Sequence, residues 1–152
     1  MTYSLNQFKA VLDGLGYNLG PNGYGGNQSN TLDFYTQAAI QEFQAQHNLQ
    51  ISGVLDQPTT EKARQLMHNL KHGLNLTADA QLPINDYYGP RTLQAVMRFQ
   101  KIHKLPVTGI AGSIVRNLLE AEVKKLMRQQ MGSPNSPSDG SSDNPGDVLQ
   151  LV

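Results

Sequence analysis

Apolar residues recur at steps of three and four along several segments of the chain, which is the spacing of one face of an α-helix. In the first segment Ser4 and Gln7 form a capping box, which marks a helix start, and Gly14 and Gly16 favour a helix end. The pattern predicts helices over about residues 4–15, 36–47, 58–71 and 113–130, and one that starts at Pro90 and carries Leu93, Val96, Phe99 and Ile102.

Two parts of the chain repeat each other at an offset of 56 residues. Gly16-Tyr17 also matches Gly73-Leu74, after one extra residue in the first copy. A repeat at this period predicts two copies of one small structural unit, with Phe43 and Phe99 as equivalent core anchors. The identities are Thr36, Ala39, Phe43, Gln44, His47, Leu49 and Gly53, which match Thr92, Ala95, Phe99, Gln100, His103, Leu105 and Gly109.

The predicted fold is all-α, with two fused three-helix units and irregular loops. Unit 1 covers residues 1–71 and unit 2 covers residues 58–131, so that the helix over 58–71 is shared. Residues 132–152 form a tail that has no apolar residue before position 148, and this composition predicts disorder in isolation. The tail ends in an apolar cluster of Val148, Leu149, Leu151 and Val152.

Charge and composition exclude several classes of protein. Twelve basic and twelve acidic residues give zero net charge, which disfavours nucleic-acid binding. Cysteine is absent, which removes disulfides and thiolate chemistry, and no apolar run is long enough to span a membrane. The first residues carry no export signal. The expected location is the cytoplasm if Met1 is the native start, and the cell wall or periplasm if a leader has been removed.

A longer motif lies in unit 2. It consists of Asn85-Asp86-Tyr87-Tyr88-Gly89-Pro90-Arg91-Thr92, then Ala95-Val96-Met97-Arg98-Phe99-Gln100, then His103-Lys104-Leu105-Pro106-Val107-Thr108-Gly109-Ile110. This run resembles the peptidoglycan-binding domain family of many cell-wall hydrolases, which has a glycine-bearing turn, an A-V-x-x-F-Q helix and a glycine-ended extended stretch. The resemblance covers about residues 3–125. In unit 1, Leu32-Asp33-Phe34-Tyr35-Thr36 stands where the glycine-bearing turn is expected.

Loop aromatics and polar side chains form a candidate ligand groove, because aromatic faces with amide and guanidinium donors suit glycans and peptides. His68 and His72 have the spacing of a metal pair but lack a third ligand, so a solvated helix face is the favoured interpretation. His47 and His103 lie near helix ends, where a role in the fold is favoured. The proposed groove residues are Tyr17, Tyr24, Asn22, Asn85, Asp86, Tyr87, Tyr88 and Arg91.

The sequence shows no pairing of nucleophile and base, so we expect neither catalysis nor a cofactor. Two hypotheses remain open. The first is a non-catalytic module that binds peptidoglycan, as the resemblance implies. The second is an intracellular adaptor or linker subunit of a large assembly, for example a light-harvesting antenna, in which a protein partner orders the tail and Val148 to Val152 act as its anchor.

Overall fold

A computed structural model describes residues 3–131 of the chain. This part contains five α-helices and a short 3₁₀ turn at Tyr24–Gly26, and no strand, which confirms the all-α prediction. The tail at 132–152, including the predicted anchor, lies outside the described residues. The helices are α1 (Leu5–Gly14), α2 (Phe34–Gln46), α3 (Gln57–Ala78), α4 (Pro90–Ile102) and α5 (Ser113–Met131).

Side-chain caps fix where the first three helices begin. Ser4 and Gln7 form the predicted capping box at α1. The Asp33 side chain accepts a hydrogen bond from the Thr36 amide at the start of α2 (3.0 Å). The Asp56 side chain accepts one from the Thr59 amide at the start of α3. Each cap satisfies a backbone N–H that the helix itself leaves without a partner.

The two repeated helices, α2 and α4, end in the same way. Asn48 and Lys104 each adopt a left-handed conformation with φ of 59°. The next amide, that of Leu49 or Leu105, donates to the carbonyl five residues earlier at 2.8 Å in both units. This is the Schellman arrangement, and its presence in both copies shows that the sequence repeat is also a repeat of structure.

One continuous core runs through both units. Phe8, Phe43 and Phe99 are fully buried, together with Met67 and Leu74 from α3. The long helix α3 joins the units: near its start Thr59 bonds to Gln44 of α2, and farther along it packs against α4 and α5.

The turn before α4 is held between the two units. Gly14 at the end of α1 leaves space for the ring of Tyr88, which a Cβ at that position would meet. The Tyr88 hydroxyl donates to the carbonyl of Gly109, and the Ala111 amide donates to the carbonyl of Gly14 (2.6 Å). The motif turn of unit 2 therefore also connects unit 2 to unit 1.

One detail of the helix prediction was wrong. Helix α3 continues to Ala78 rather than ending near residue 71, because Leu74 and Ala78 are buried. In α4, Val96 and Phe99 are fully buried, whereas Leu93 and Ile102 are 38% and 53% exposed. No helix in the described part is long and apolar enough to cross a membrane.

Candidate functional site

Four of the predicted groove residues, 85–88, lie together in the α3–α4 loop (residues 79–89). Arg91 follows them in the first turn of α4. Tyr17 and Tyr24 belong to unit 1, and the structure gives them separate partners there. The predicted groove is thus divided between a loop cluster in unit 2 and two aromatic side chains in unit 1.

Asp86 is buried at the centre of the loop cluster. Its Oδ2 accepts a hydrogen bond from Arg64 Nε (3.2 Å), and its Oδ1 lies 2.8 Å from Nε2 of His68. Its carbonyl oxygen accepts the hydroxyl of Tyr3 (2.8 Å). These contacts tie the loop to both α3 and the N-terminal segment.

His68 therefore has a carboxylate partner, although its side chain is still 40% exposed on the helix face that it shares with His72. His72 is exposed. Within residues 3–131 no group of three His, Cys, Asp or Glu side chains is placed to hold a metal ion.

Lys71 is a buried residue that sequence reasoning missed. Its ammonium donates to the carbonyl of Asn85 (3.1 Å), to the Asn85 side-chain oxygen and to the carbonyl of Tyr87. Burial lowers the Lys71 pKa from 10.5 to about 8, and the negative charge of Asp86 partly opposes this shift. The available signal was its position between Met67 and Leu74 on the buried face of α3.

We expect Lys71 to titrate near pH 8 in the folded protein. Between pH 8 and 10.5 the unfolded chain then holds more protons at this group than the folded chain. The contribution of Lys71 to the free energy of unfolding should therefore rise with pH across this window. The ¹³Cε chemical shift of Lys71 followed over pH measures its pKa directly. In urea unfolding, the free energy of unfolding of Lys71→Met should lack this rise with pH. A Lys71 midpoint at the ordinary lysine value would contradict the prediction.

The unit 1 aromatics take part in contacts of their own. Tyr17 is buried, its ring lies 5.8 Å from that of Phe43, and burial raises its pKa. Its hydroxyl donates to the side-chain oxygen of Gln46. The Tyr24 hydroxyl donates to Asn6 Oδ1 (3.0 Å). The hydrogen bonds of both hydroxyls lie within unit 1 rather than with the α3–α4 loop, and the cation of Arg116 in α5 partly opposes the rise in the Tyr17 pKa that burial causes.

The repeated histidines cap α2 and α4. His47 lies with its ring 4.6 Å from that of Phe43, and His103 lies 4.4 Å from Phe99. Burial lowers the His47 pKa, and the charges of Lys62 and Arg116 add to this effect. His47 is therefore held towards the neutral form, and it covers the core rather than providing a cation at the helix end.

A small concavity, the arginine concavity, lies beside the α3–α4 loop. It has a volume of about 100 Å³. Arg91 Nη2 donates to the carbonyl of Gln81 (3.1 Å), and Arg98 Nη1 donates to the carbonyls of Ala78 and Asp79 (2.9 and 3.3 Å). Its lining residues are Ala80, Leu82, Arg91, Gln94, Ala95 and Arg98.

Unit 1 has different side chains at the positions equivalent to the arginines. At the offset of 56, Tyr35 replaces Arg91 and Glu42 replaces Arg98. Phe34, next to Tyr35, is 78% exposed. The surface of unit 1 is therefore aromatic and acidic where that of unit 2 is basic.

A second, shallower depression lies between the end of α4 and the start of α5. Its volume is about 420 Å³, and its apolar residues include Leu105, Ile110 and Ile114. Ile114 is 73% exposed. This surface is an open, largely apolar concavity of unit 2.

Comparison with known proteins follows the two structural units. The family model described as "Putative peptidoglycan binding domain" matches residues 4–63 and again 64–119. The boundary between the two matches falls within α3. The chain is a tandem pair of small helical binding domains, and it belongs to this peptidoglycan-binding domain family.

One curated relative carries a similar segment. The "Probable CtpA-like serine protease" of Staphylococcus haemolyticus (strain JCSC1435) is 36% identical over 66 residues. This match covers 43% of the chain and 12% of the relative, so the chain corresponds to a small part of that protein. No solved structure gives a significant match.

Proposed function

We propose that the chain is a non-catalytic module that binds peptidoglycan in the cell wall. The observation that carries this proposal is the double family match over residues 4–119, which covers both structural units. The proposed contact surface is the α3–α4 loop of unit 2 with the adjoining Arg91, since unit 2 retains the full motif. Tyr17 and Tyr24 would support unit 1 rather than contact ligand, because their hydroxyls bond within it.

The relative's name describes a serine protease, and we do not extend that activity to this chain. The shared segment is a small fraction of that protein. A recognition segment of an enzyme can bind a polymer without contributing to the chemistry. We propose the same kind of role for this chain, namely binding without catalysis.

Co-sedimentation with purified sacculi tests the proposed function. The full chain should be depleted from the supernatant in proportion to the amount of sacculi, and free peptidoglycan fragments should compete for it. An unrelated protein of similar size and zero net charge serves as the control for trapping in the pellet. Depletion no greater than that of the control would refute peptidoglycan binding.

A second candidate function, a protein adaptor, is favoured by an asymmetry between the units. The turn at Gly109 in unit 2 lies beneath Leu93 and Met97, whereas the equivalent Gly53 lies beneath Gln37 and Gln41. Both apolar side chains are more than a third exposed. In this version the predicted anchor at Val148 to Val152 would add a second contact. Fractionation with a soluble complex instead of the cell wall would favour the adaptor.

A further inference from the structure

We propose that the arginine concavity is a carboxylate subsite that takes the terminal carboxylate of a peptidoglycan stem peptide. This assignment rests on the proposed function and names the chemical group that unit 2 would recognise. Stem peptides expose free carboxylates, including that of a terminal alanine, along an otherwise repetitive polymer. A site for such a group would distinguish peptide ends from the glycan strand.

The two arginines are placed to act on one ligand. Arg91 and Arg98 are seven residues apart on α4, which puts them on the same face, about 10 Å apart along the helix axis. A guanidinium carries five N–H donors, and each arginine uses only one of its nitrogens in the contacts found within residues 3–131. Neither pairs with a carboxylate in that range. Donors therefore remain for an anion.

The end of α3 and the α3–α4 loop hold both guanidiniums in place. Asp79 and Gln81 adopt positive φ values of 51° and 56°, which is uncommon for residues other than glycine. This backbone course directs the carbonyls of Ala78, Asp79 and Gln81 to the arginine side chains. Fixing long side chains before a ligand arrives reduces the entropy lost on binding.

The remaining lining fits a small amino acid at a peptide end. Ala80, Leu82 and Ala95 supply an apolar wall, against which the methyl group of an alanine would pack. Gln94 supplies an amide that would bond to the preceding peptide group. A volume of about 100 Å³ suits a terminal residue better than a substituted sugar ring.

The repeat provides an internal comparison. Unit 1 has Tyr35, Ala38 and Glu42 at the positions of Arg91, Gln94 and Arg98. A carboxylate at Glu42 would repel an anionic ligand. The chain should therefore bind one peptide carboxylate, in unit 2.

The first experiment titrates the full ¹⁵N-labelled chain with a synthetic peptide ending in D-alanyl-D-alanine, and with the same peptide amidated at its C-terminus. The free acid should shift the amide signals of Ala80, Gln94 and Arg98 and bind at least about tenfold more tightly than the amide. Inorganic phosphate is the third probe and should bind more weakly than the free acid. Equal affinity for acid and amide, or stronger binding of phosphate, would overturn the assignment.

Variants separate the two arginines from general positive charge. Arg91→Gln with Arg98→Gln should weaken binding of the free acid at least about tenfold. Lys101→Gln with Lys104→Gln removes the same charge from the end of α4 and should leave affinity within about twofold. Equal losses of affinity in both double variants would show that overall charge causes the effect, and this would refute the subsite. Thermal unfolding of each variant verifies that the fold is retained.

The sacculus assay distinguishes failure of the subsite from failure of the proposed function. If the arginine double variant sediments with sacculi as fully as the native chain, the subsite is refuted and peptidoglycan binding stands. If the native chain does not sediment with sacculi but binds the free-acid peptide more tightly than the amidated peptide, the subsite stands and the proposed function fails.

Discussion

Replacing Phe43 by alanine should lower the free energy of unfolding by about 3–5 kcal/mol. The side chain is fully buried, so truncation removes its hydrophobic contribution and leaves a cavity. Three aromatic neighbours surround it: the rings of Phe8, Tyr17 and His47 have centroids 5.9, 5.8 and 4.6 Å away. These neighbours come from separate segments, so a local collapse cannot refill the space at low cost.

Phe34→Ala is the matched control, because it makes the same chemical change in the same helix at a position that is 78% exposed. Its expected cost is within about 0.5 kcal/mol. Urea unfolding followed by circular dichroism measures both values. If Phe43→Ala is already unfolded without urea, Phe43→Leu should show a smaller decrease in the free energy of unfolding that is still measurable. Similar losses at Phe34 and Phe43 would show that Phe43 is not a core anchor.

The repeat made the core of each unit predictable. An offset of 56 places Phe43 and Phe99 at equivalent helix positions, and both are fully buried. The spacing of apolar residues within each helix could be recognised locally, as could the capping box at Ser4. Features set by residues close in sequence were therefore the ones most accurately foreseen.

The end of α3 was missed because the repeat is not exact there. Gly16 follows the end of α1, and its sequence counterpart Gly73 lies just after the predicted end of α3 near residue 71. Gly73 instead lies inside α3, where its lack of a side chain admits Leu119 of α5. The same residue type thus ends a helix in one unit and permits close helix packing in the other.

The α3–α4 loop could be identified from its motif, but its contacts could not. Asp86 bonds to Tyr3, 83 positions away, and to Arg64 and His68 of α3. Lys71 supports the loop from the buried side of the same helix. No local pattern encodes partners at such separations. The assignment of the loop as a ligand surface stays a prediction until binding is measured.

Replacing Gln44 by leucine should lower the free energy of unfolding by about 2–4 kcal/mol. The amide of this fully buried residue connects α2 to the turn that follows it. Its oxygen accepts the backbone amides of Ser52 (2.9 Å) and Gly53 (3.0 Å). Its nitrogen donates to the carbonyl of Val54 (3.1 Å) and to Thr59 Oγ1 of α3 (2.9 Å). Leucine fills a similar volume but removes the acceptor of the Ser52 and Gly53 amides, and the loss of hydrogen bonds outweighs the added hydrophobicity.

Two comparisons make the Gln44 prediction specific. Gln41→Leu lies on the exposed side of α2, where unit 2 carries Met97, so it should cost less than about 0.5 kcal/mol. Gln100→Leu breaks the equivalent bonds to Thr108 and Gly109 but has no counterpart of the Thr59 contact, because the equivalent position is a valine. It should therefore cost less than Gln44→Leu, by about 1 kcal/mol. Urea unfolding of the three variants gives this order directly. A Gln44→Leu variant as stable as Gln41→Leu would mean that the buried amide network does not hold the turn against α2.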